Sequence, residues 1–92
     1  IGGNDQMAIA AMKACLDAGI SIPGDVQVTG FNAFEVWRYV DPPLTTVQSA
    51  AKALGERAGA ELIARLQSGQ FPVREIVLPV TLQPGQSTRP TP

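Results

Sequence analysis

Histidine is absent from this 92-residue sequence, and cysteine occurs once, as Cys15. Without histidine, no side chain has its ordinary pKa near neutrality, so histidine-based acid–base catalysis within the chain is excluded. A single thiol excludes an internal disulfide and argues against a zinc cluster. Charged residues make up 16% of the sequence and the net charge is −1, against the roughly 25% charged residues usual in soluble domains. The few basic residues are scattered, which argues against nucleic-acid contact by this segment itself. No apolar run reaches the roughly 18 residues that a transmembrane helix needs. No basic stretch precedes an apolar run in the manner of a secretory signal.

What is present is ordinary for a folded protein: 45% of the residues are hydrophobic. The length allows at most one small domain with a limited core. Few charges in so small a chain suggest that part of its surface is buried against further sequence or a partner. The sequence opens on a turn-like Ile1-Gly2-Gly3-Asn4-Asp5, as though entered in mid-domain.

Periodicity predicts a first helix over 5–18, with Asn4 or Asp5 capping its exposed amides. Met7, Ala8, Ala11, Met12, Cys15 and Leu16 recur at helical spacing as its apolar face. Gly19 suits the left-handed residue that ends a helix. A Pro-Gly turn at Pro23-Gly24 leads into a predicted strand over 26–31, where valines alternate with polar residues. An irregular passage holding Phe34, Trp37 and Tyr39 ends at Pro42-Pro43, and a second short strand is expected over 44–47.

A long helix is predicted over 50–67, with Ser49 as its N-cap and Gly69 closing it. Ala51, Leu54, Ala58, Leu62, Ile63 and Leu66 form its apolar stripe. Gly55 and Gly59 lie on one face and each lowers helix propensity by about 1 kcal/mol relative to alanine. They suit close packing onto a sheet or against a second copy. Residues 73–82 read as a strand interrupted by Pro79, hence an edge strand or a bulge. Residues 83–92 form a polar, Pro- and Gly-containing tail without apolar periodicity.

This order predicts an α/β fold, part of a three-layer open parallel-sheet subdomain. Such a sheet has both faces covered, which these helices cannot do alone, so further elements are expected to precede Ile1.

Several segments resemble one family in order and spacing. Asn4-Asp5-Gln6-Met7-Ala8 is similar to the N-D-x-M-A segment of bacterial repressors of the lactose/galactose repressor family. Ala18-Gly19-Ile20 and Ile22-Pro23-Gly24-Asp25-Val26 follow its A-G-x and [IV]-P-x-D-[VI] stretches. Gly30-Phe31-Asn32 stands where the family has G-[FY]-D, and Pro42-Pro43-Leu44-Thr45-Thr46-Val47 matches P-P-L-T-T-[VI]. Leu54-Gly55 and Leu78-Pro79-Val80-Thr81-Leu82 complete the series.

The resemblance implies a periplasmic-binding-protein-like effector domain of two α/β subdomains. Residues 1–82 supply the C-terminal part, including the final crossover toward the other subdomain, and 83–92 an irregular tail. It implies a small-molecule effector, a sugar or sugar acid, and a homodimer in the cytoplasm. Operator DNA is contacted through a helix-turn-helix headpiece outside these residues. No cofactor, metal, membrane or catalytic residue is implied.

The same resemblance makes Asn4 a ligand contact from a strand-to-helix junction; read locally, it is a helix cap. Asp5 is read as a capping or architectural carboxylate. Asn32 departs from the family's Asp: it keeps the size, loses the charge and turns one acceptor into a donor. That suits an effector bearing an acceptor or an anion such as phosphate or carboxylate; the local reading is a turn residue of unusual dihedrals. Ser49 stands where relatives often carry Gln, so its reach is shorter, and capping is its local role. Phe34 and Trp37 suit stacking on a sugar, a dimer seam or plain core packing. Ala8, Met12, Tyr39 and Val40 are the dimer candidates, with core burial the alternative for Met12. The basic residue expected near Gly85 is replaced by Gln83-Pro84-Gly85-Gln86, while the Ser87-Thr88 pair is kept.

Three functions compete. The effector core of a transcriptional regulator is favoured by the P-P-L-T-T-V segment. A periplasmic sugar-binding component of a transporter is the alternative. An enzyme subdomain is disfavoured, because Asp5, Glu35 and Asp41 show no paired spacing and no nucleophile–base set accompanies them.

Overall fold

The computed structural model describes residues 1–33, 38–71 and 74–90. Its elements in chain order are helix α1 (Asp5–Asp17), strand β1 (Thr46–Gln48), helix α2 (Ala51–Ser68) and strand β2 (Thr81–Gln83). The chain divides into two compact units, one of Ile1–Ser49 with Thr81–Pro92, the other of Ala50–Val80.

In the first unit α1 begins where expected. Asn4 is the N-cap, in an extended conformation, and its side-chain oxygen accepts from the Met7 amide at 2.8 Å. That satisfies one of the amides left unpaired at a helix start. The helix ends at Ala18, and Gly19 follows with φ +77°, a conformation that costs glycine little. The buried side of α1 is narrower than its apolar pattern predicts. Ala8 and Met12 enter the core with Ile22, Val28 and Leu44, while Ile9, Cys15 and Val40 pack against it. Met7, Ala11 and Leu16, expected on the same face, are exposed.

The predicted strand over 26–31 is extended but does not form a regular ladder. Thr29 bridges Thr45 and Asn32 bridges Gln48, both in parallel. Single backbone bonds run from Gly30 N to Thr45 O at 3.0 Å and from Asn32 N to Val47 O at 2.8 Å. On its other side, Gly2 N donates to Thr29 O and Asp5 N to Phe31 O. Three extended segments, near 1–3, 28–32 and 44–48, therefore lie side by side and run the same way. The α/β class and the parallel order stand, but here as bridges. The regular sheet among the described residues has two antiparallel strands, β1 and β2, with Thr46 opposite Gln83 and Gln48 opposite Thr81.

The second unit is dominated by α2. Gly69 closes the helix in the left-handed conformation at φ +82°. The expected Ser49 cap is not made: Ala50 is the N-cap and no side chain bonds there. None of the α2 residues is buried, so the predicted packing of its apolar stripe onto a sheet is not found. The strand predicted over 73–82 explains this. It starts at Val73, outside the described residues; 74–80 has no regular structure, and only Thr81–Gln83 pairs, with the first unit. Among the described residues of this unit, no ladder forms for the stripe to cover. Within it, Arg57 pairs with Glu61 at 2.9 Å and the Arg65 guanidinium lies 5.9 Å from the Phe71 ring centre.

Candidate functional site

Parallel extended segments share one carboxyl-terminal end, and open α/β sheets bind ligands beyond that end. Asn4 follows the first segment, Asn32 ends the second and Ser49 follows β1. Three residues far apart in sequence are brought to one edge because the bonds joining the segments run in register.

Their local geometry differs. Asn4 is half-buried, with its side-chain oxygen on the Met7 amide. Asn32 has φ +100° and Ala33 φ +57°; asparagine tolerates the left-handed side better than most residues. The dihedral reading of Asn32 therefore holds. Its amide oxygen also accepts a hydrogen bond from the Ser49 hydroxyl at 3.3 Å. Ser49 is thus a partner of Asn32 and not a helix cap.

Beneath this edge Asp5 is 1% exposed, and its carboxylate accepts from the Thr46 hydroxyl at 2.6 Å. A buried carboxylate needs such donors to remain tolerable. Gly30 keeps the space for it: a Cβ there would meet Asp5 Oδ1 and lie 2.9 Å from Leu44 Cδ2. Asp5 is therefore architectural, tying the start of α1 to β1.

The tail contributes more than its composition suggested. Ser87 is fully buried, donates to Val28 O at 2.6 Å and accepts from Thr45 N at 2.8 Å. Thr45 and Thr88 share a hydroxyl–hydroxyl bond at 2.7 Å, and Gly85 N donates to Thr45 Oγ1 at 3.0 Å. The Thr45-Thr46 and Ser87-Thr88 pairs were visible in the sequence only as fragments of a motif. Two adjacent small hydroxyl residues at each place were the available signal, but nothing local said that the pairs meet. The loss of a basic residue near Gly85 leaves Arg89, whose backbone amide bonds Gln27 Oε1 at 2.7 Å.

Of the other predicted site residues, Phe34 and Trp37 lie outside the described residues. Ala8 and Met12 are 0% and 2% exposed. Their assignment to a dimer contact is corrected: the helix turns these two positions inward, where they complete the core. Tyr39 is 77% exposed and Val40 half-buried. Among the described residues, no group of His, Cys, Asp or Glu is placed to hold a metal ion, and no helix is long and apolar enough to cross a membrane.

Residues 1–88 match the family model described as a periplasmic binding protein-like domain. A lactose operon repressor of Rhizobium radiobacter is 35% identical over 82 residues, which are 89% of this chain and 72% of that protein. The chain belongs to the lactose/galactose repressor family. Solved structures agree. A lac repressor dimer bound to operator and the anti-inducer ONPF superposes with a TM-score of 0.84 at 34% identity, over 94% of this chain and 30% of that one. A LacI family transcriptional regulator from Enterococcus faecalis V583 with bound ribose gives 0.85 at 31% identity, over 97% of this chain and 33% of that one. The chain thus spans about a third of those solved members of the lactose/galactose repressor family.

Proposed function

We propose that the chain forms the effector-binding part of a DNA-binding transcriptional regulator in the cytoplasm. A sugar or related small molecule binds at the edge formed by Asn4, Asn32 and Ser49. Binding shifts the balance between two arrangements of the subdomains, and so controls a helix-turn-helix headpiece outside these residues. Residues 1–82 form the C-terminal part of the effector domain, with the crossover toward the other subdomain, and 83–92 the irregular tail. The protein is a homodimer, with Tyr39 and Val40 at the contact. No covalent step is required, and the reading assigns no catalytic residue.

The observation that supports this reading is that the segments carrying Asn4, Asn32 and Ser49 run side by side and parallel, with a common carboxyl end at which Ser49 bonds Asn32. The relatives support it: one solved member is bound to operator and another to ribose. The same relatives favour a regulator over a transporter component, since the proteins matched are repressors and regulators.

The test is calorimetric titration of the full-length protein with pentoses and hexoses, ribose among them. Asn4→Ala and Asn32→Ala each weaken binding while the thermal melt keeps its cooperative shape. Unchanged affinity in both variants refutes the site. Sedimentation of Tyr39→Asp checks the dimer contact: monomers support it, an unchanged dimer removes it.

A further inference from the structure

A cleft of about 810 Å³ lies within the first unit. Its apolar lining comes from Pro23, Pro42, Pro84 and Pro90, with Ile22 and Leu82, and the charged residue among its lining is Arg89. Pro23 comes before the second extended segment and Pro42 before the third, so the cleft reaches their amino ends. Asn32 and Ser49 stand at the carboxyl ends of the same two segments. Thr45, which lines the cleft, and Ser49 are four residues apart along extended chain, about 13 Å.

The walls are preformed. Proline rings fix φ, so these four residues have little freedom to lose when a ligand arrives. The tail that forms one wall is pinned by its backbone amides. Gly85 N donates to Thr45 Oγ1 at 3.0 Å, and Gln86 N and Ser87 N donate to Pro43 O at 2.7 and 3.0 Å. Arg89 N donates to Gln27 Oε1 at 2.7 Å. The Arg89 side chain is held less firmly: Nη1 lies 3.5 Å from Gly24 O, which places the guanidinium against the Pro23-Gly24 turn. Among the described residues Arg89 makes no ion pair. In Asp25, next to Gly24, Oδ2 is taken up by the Ser21 amide and hydroxyl. A guanidinium has five N–H donors, and one long bond leaves most of them for another acceptor.

We infer that this cleft is a second small-molecule site, separate from the edge of Asn4, Asn32 and Ser49, and that it takes an aromatic carboxylate. Its volume suits a small organic ligand. Proline rings and flat aromatic faces are complementary apolar surfaces. A carboxylate supplies the acceptor that Arg89 lacks, and the guanidinium fork can hold both of its oxygens. A neutral sugar would leave the apolar walls without a partner and the cation without an anion. An inorganic anion would satisfy the cation alone. The inference goes beyond the proposed effector reading and uses none of its residues.

The test is calorimetric titration of the full-length protein with benzoate and 2-naphthoate, set against benzamide and acetate. The aromatic acids bind saturably. Benzamide, which has the ring without the charge, binds at least about tenfold more weakly than benzoate, and so does acetate, which has the charge without the ring. Arg89→Gln weakens benzoate by at least about tenfold. Arg89→Lys keeps the charge but not the fork, and loses less. Arg89 is exposed and its backbone bond to Gln27 is independent of its side chain, so both variants keep the thermal melt. Asn32→Ala leaves benzoate binding as it was. No binding by either aromatic acid overturns the inference, as does benzamide or acetate binding as well as benzoate. Benzoate binding that is indifferent to Arg89→Gln also overturns it. Benzoate binding lost in Asn32→Ala assigns that ligand to the effector edge, which removes this site and leaves the effector reading standing.

Discussion

Thr46 Oγ1 donates to the buried Asp5 carboxylate at 2.6 Å, across 41 residues of sequence. This bond joins the first turn of α1 to the first residue of β1, directly beneath the edge that carries Asn4 and Asn32. Thr46→Val keeps the shape and removes the donor. The expected loss is about 1–3 kcal/mol, because a buried acceptor is left with one partner fewer. Urea unfolding of the full-length protein reads it. An unchanged midpoint would show that the bond does not support the fold.

Ser87 holds two segments together through one hydroxyl. Ser87→Ala leaves Val28 O and Thr45 N each without its side-chain partner. The expected cost is about 1–3 kcal/mol for each orphaned group. Thermal unfolding measures the total, and amide exchange at Thr45 shows the local opening directly.

Two glycines should respond oppositely to alanine. A Cβ on Gly85 would lie 2.5 Å from Leu44 C and 2.6 Å from Leu44 O, which are backbone atoms and cannot turn aside. Gly85→Ala is therefore destabilising, by about 1–3 kcal/mol. Gly55 has nothing within 4 Å of such a Cβ. Gly55→Ala should stabilise α2 by up to about 1 kcal/mol through helix propensity. A lowered melting temperature for the second variant would contradict the open space at that face.

The Ser21–Asp25 turn predicts a pH response. Asp25 Oδ2 accepts from the Ser21 amide at 2.9 Å and from its hydroxyl at 3.0 Å. These bonds, the backbone one foremost, hold the carboxyl below its ordinary value of 3.8. The folded pKa lies below the unfolded one, so the contribution is present above the unfolded value and fades as pH falls through the folded value. Carboxyl titration by NMR should show Asp25 depressed. Ser21→Ala should return it part of the way, since the amide bond remains.

Local chemistry explains which elements the sequence disclosed. The Asn4 cap, the span of α1 and the glycines ending both helices depend on neighbours within one or two turns. The donor set at α2 shows the limit of that logic. Ser49 has the chemistry of a cap and the right position, but its hydroxyl finds Asn32, 17 residues away in sequence. Composition gave Asn32 its left-handed tolerance and its amide, not the partner that orients it.

The sequence by itself determined the α/β order, the helix ends and the family, because periodicity, capping and motif spacing are short-range properties. The lack of histidine likewise excluded histidine-based acid–base catalysis within these residues. Only the tertiary structure decided that Asp5 turns inward, that Ala8 and Met12 complete a core, that Ser87 in the polar tail is buried, and that Asn4, Asn32 and Ser49 share an edge. Each of those outcomes rests on bonds or packing between segments distant in the chain. Such contacts leave no periodic trace in the residues that make them.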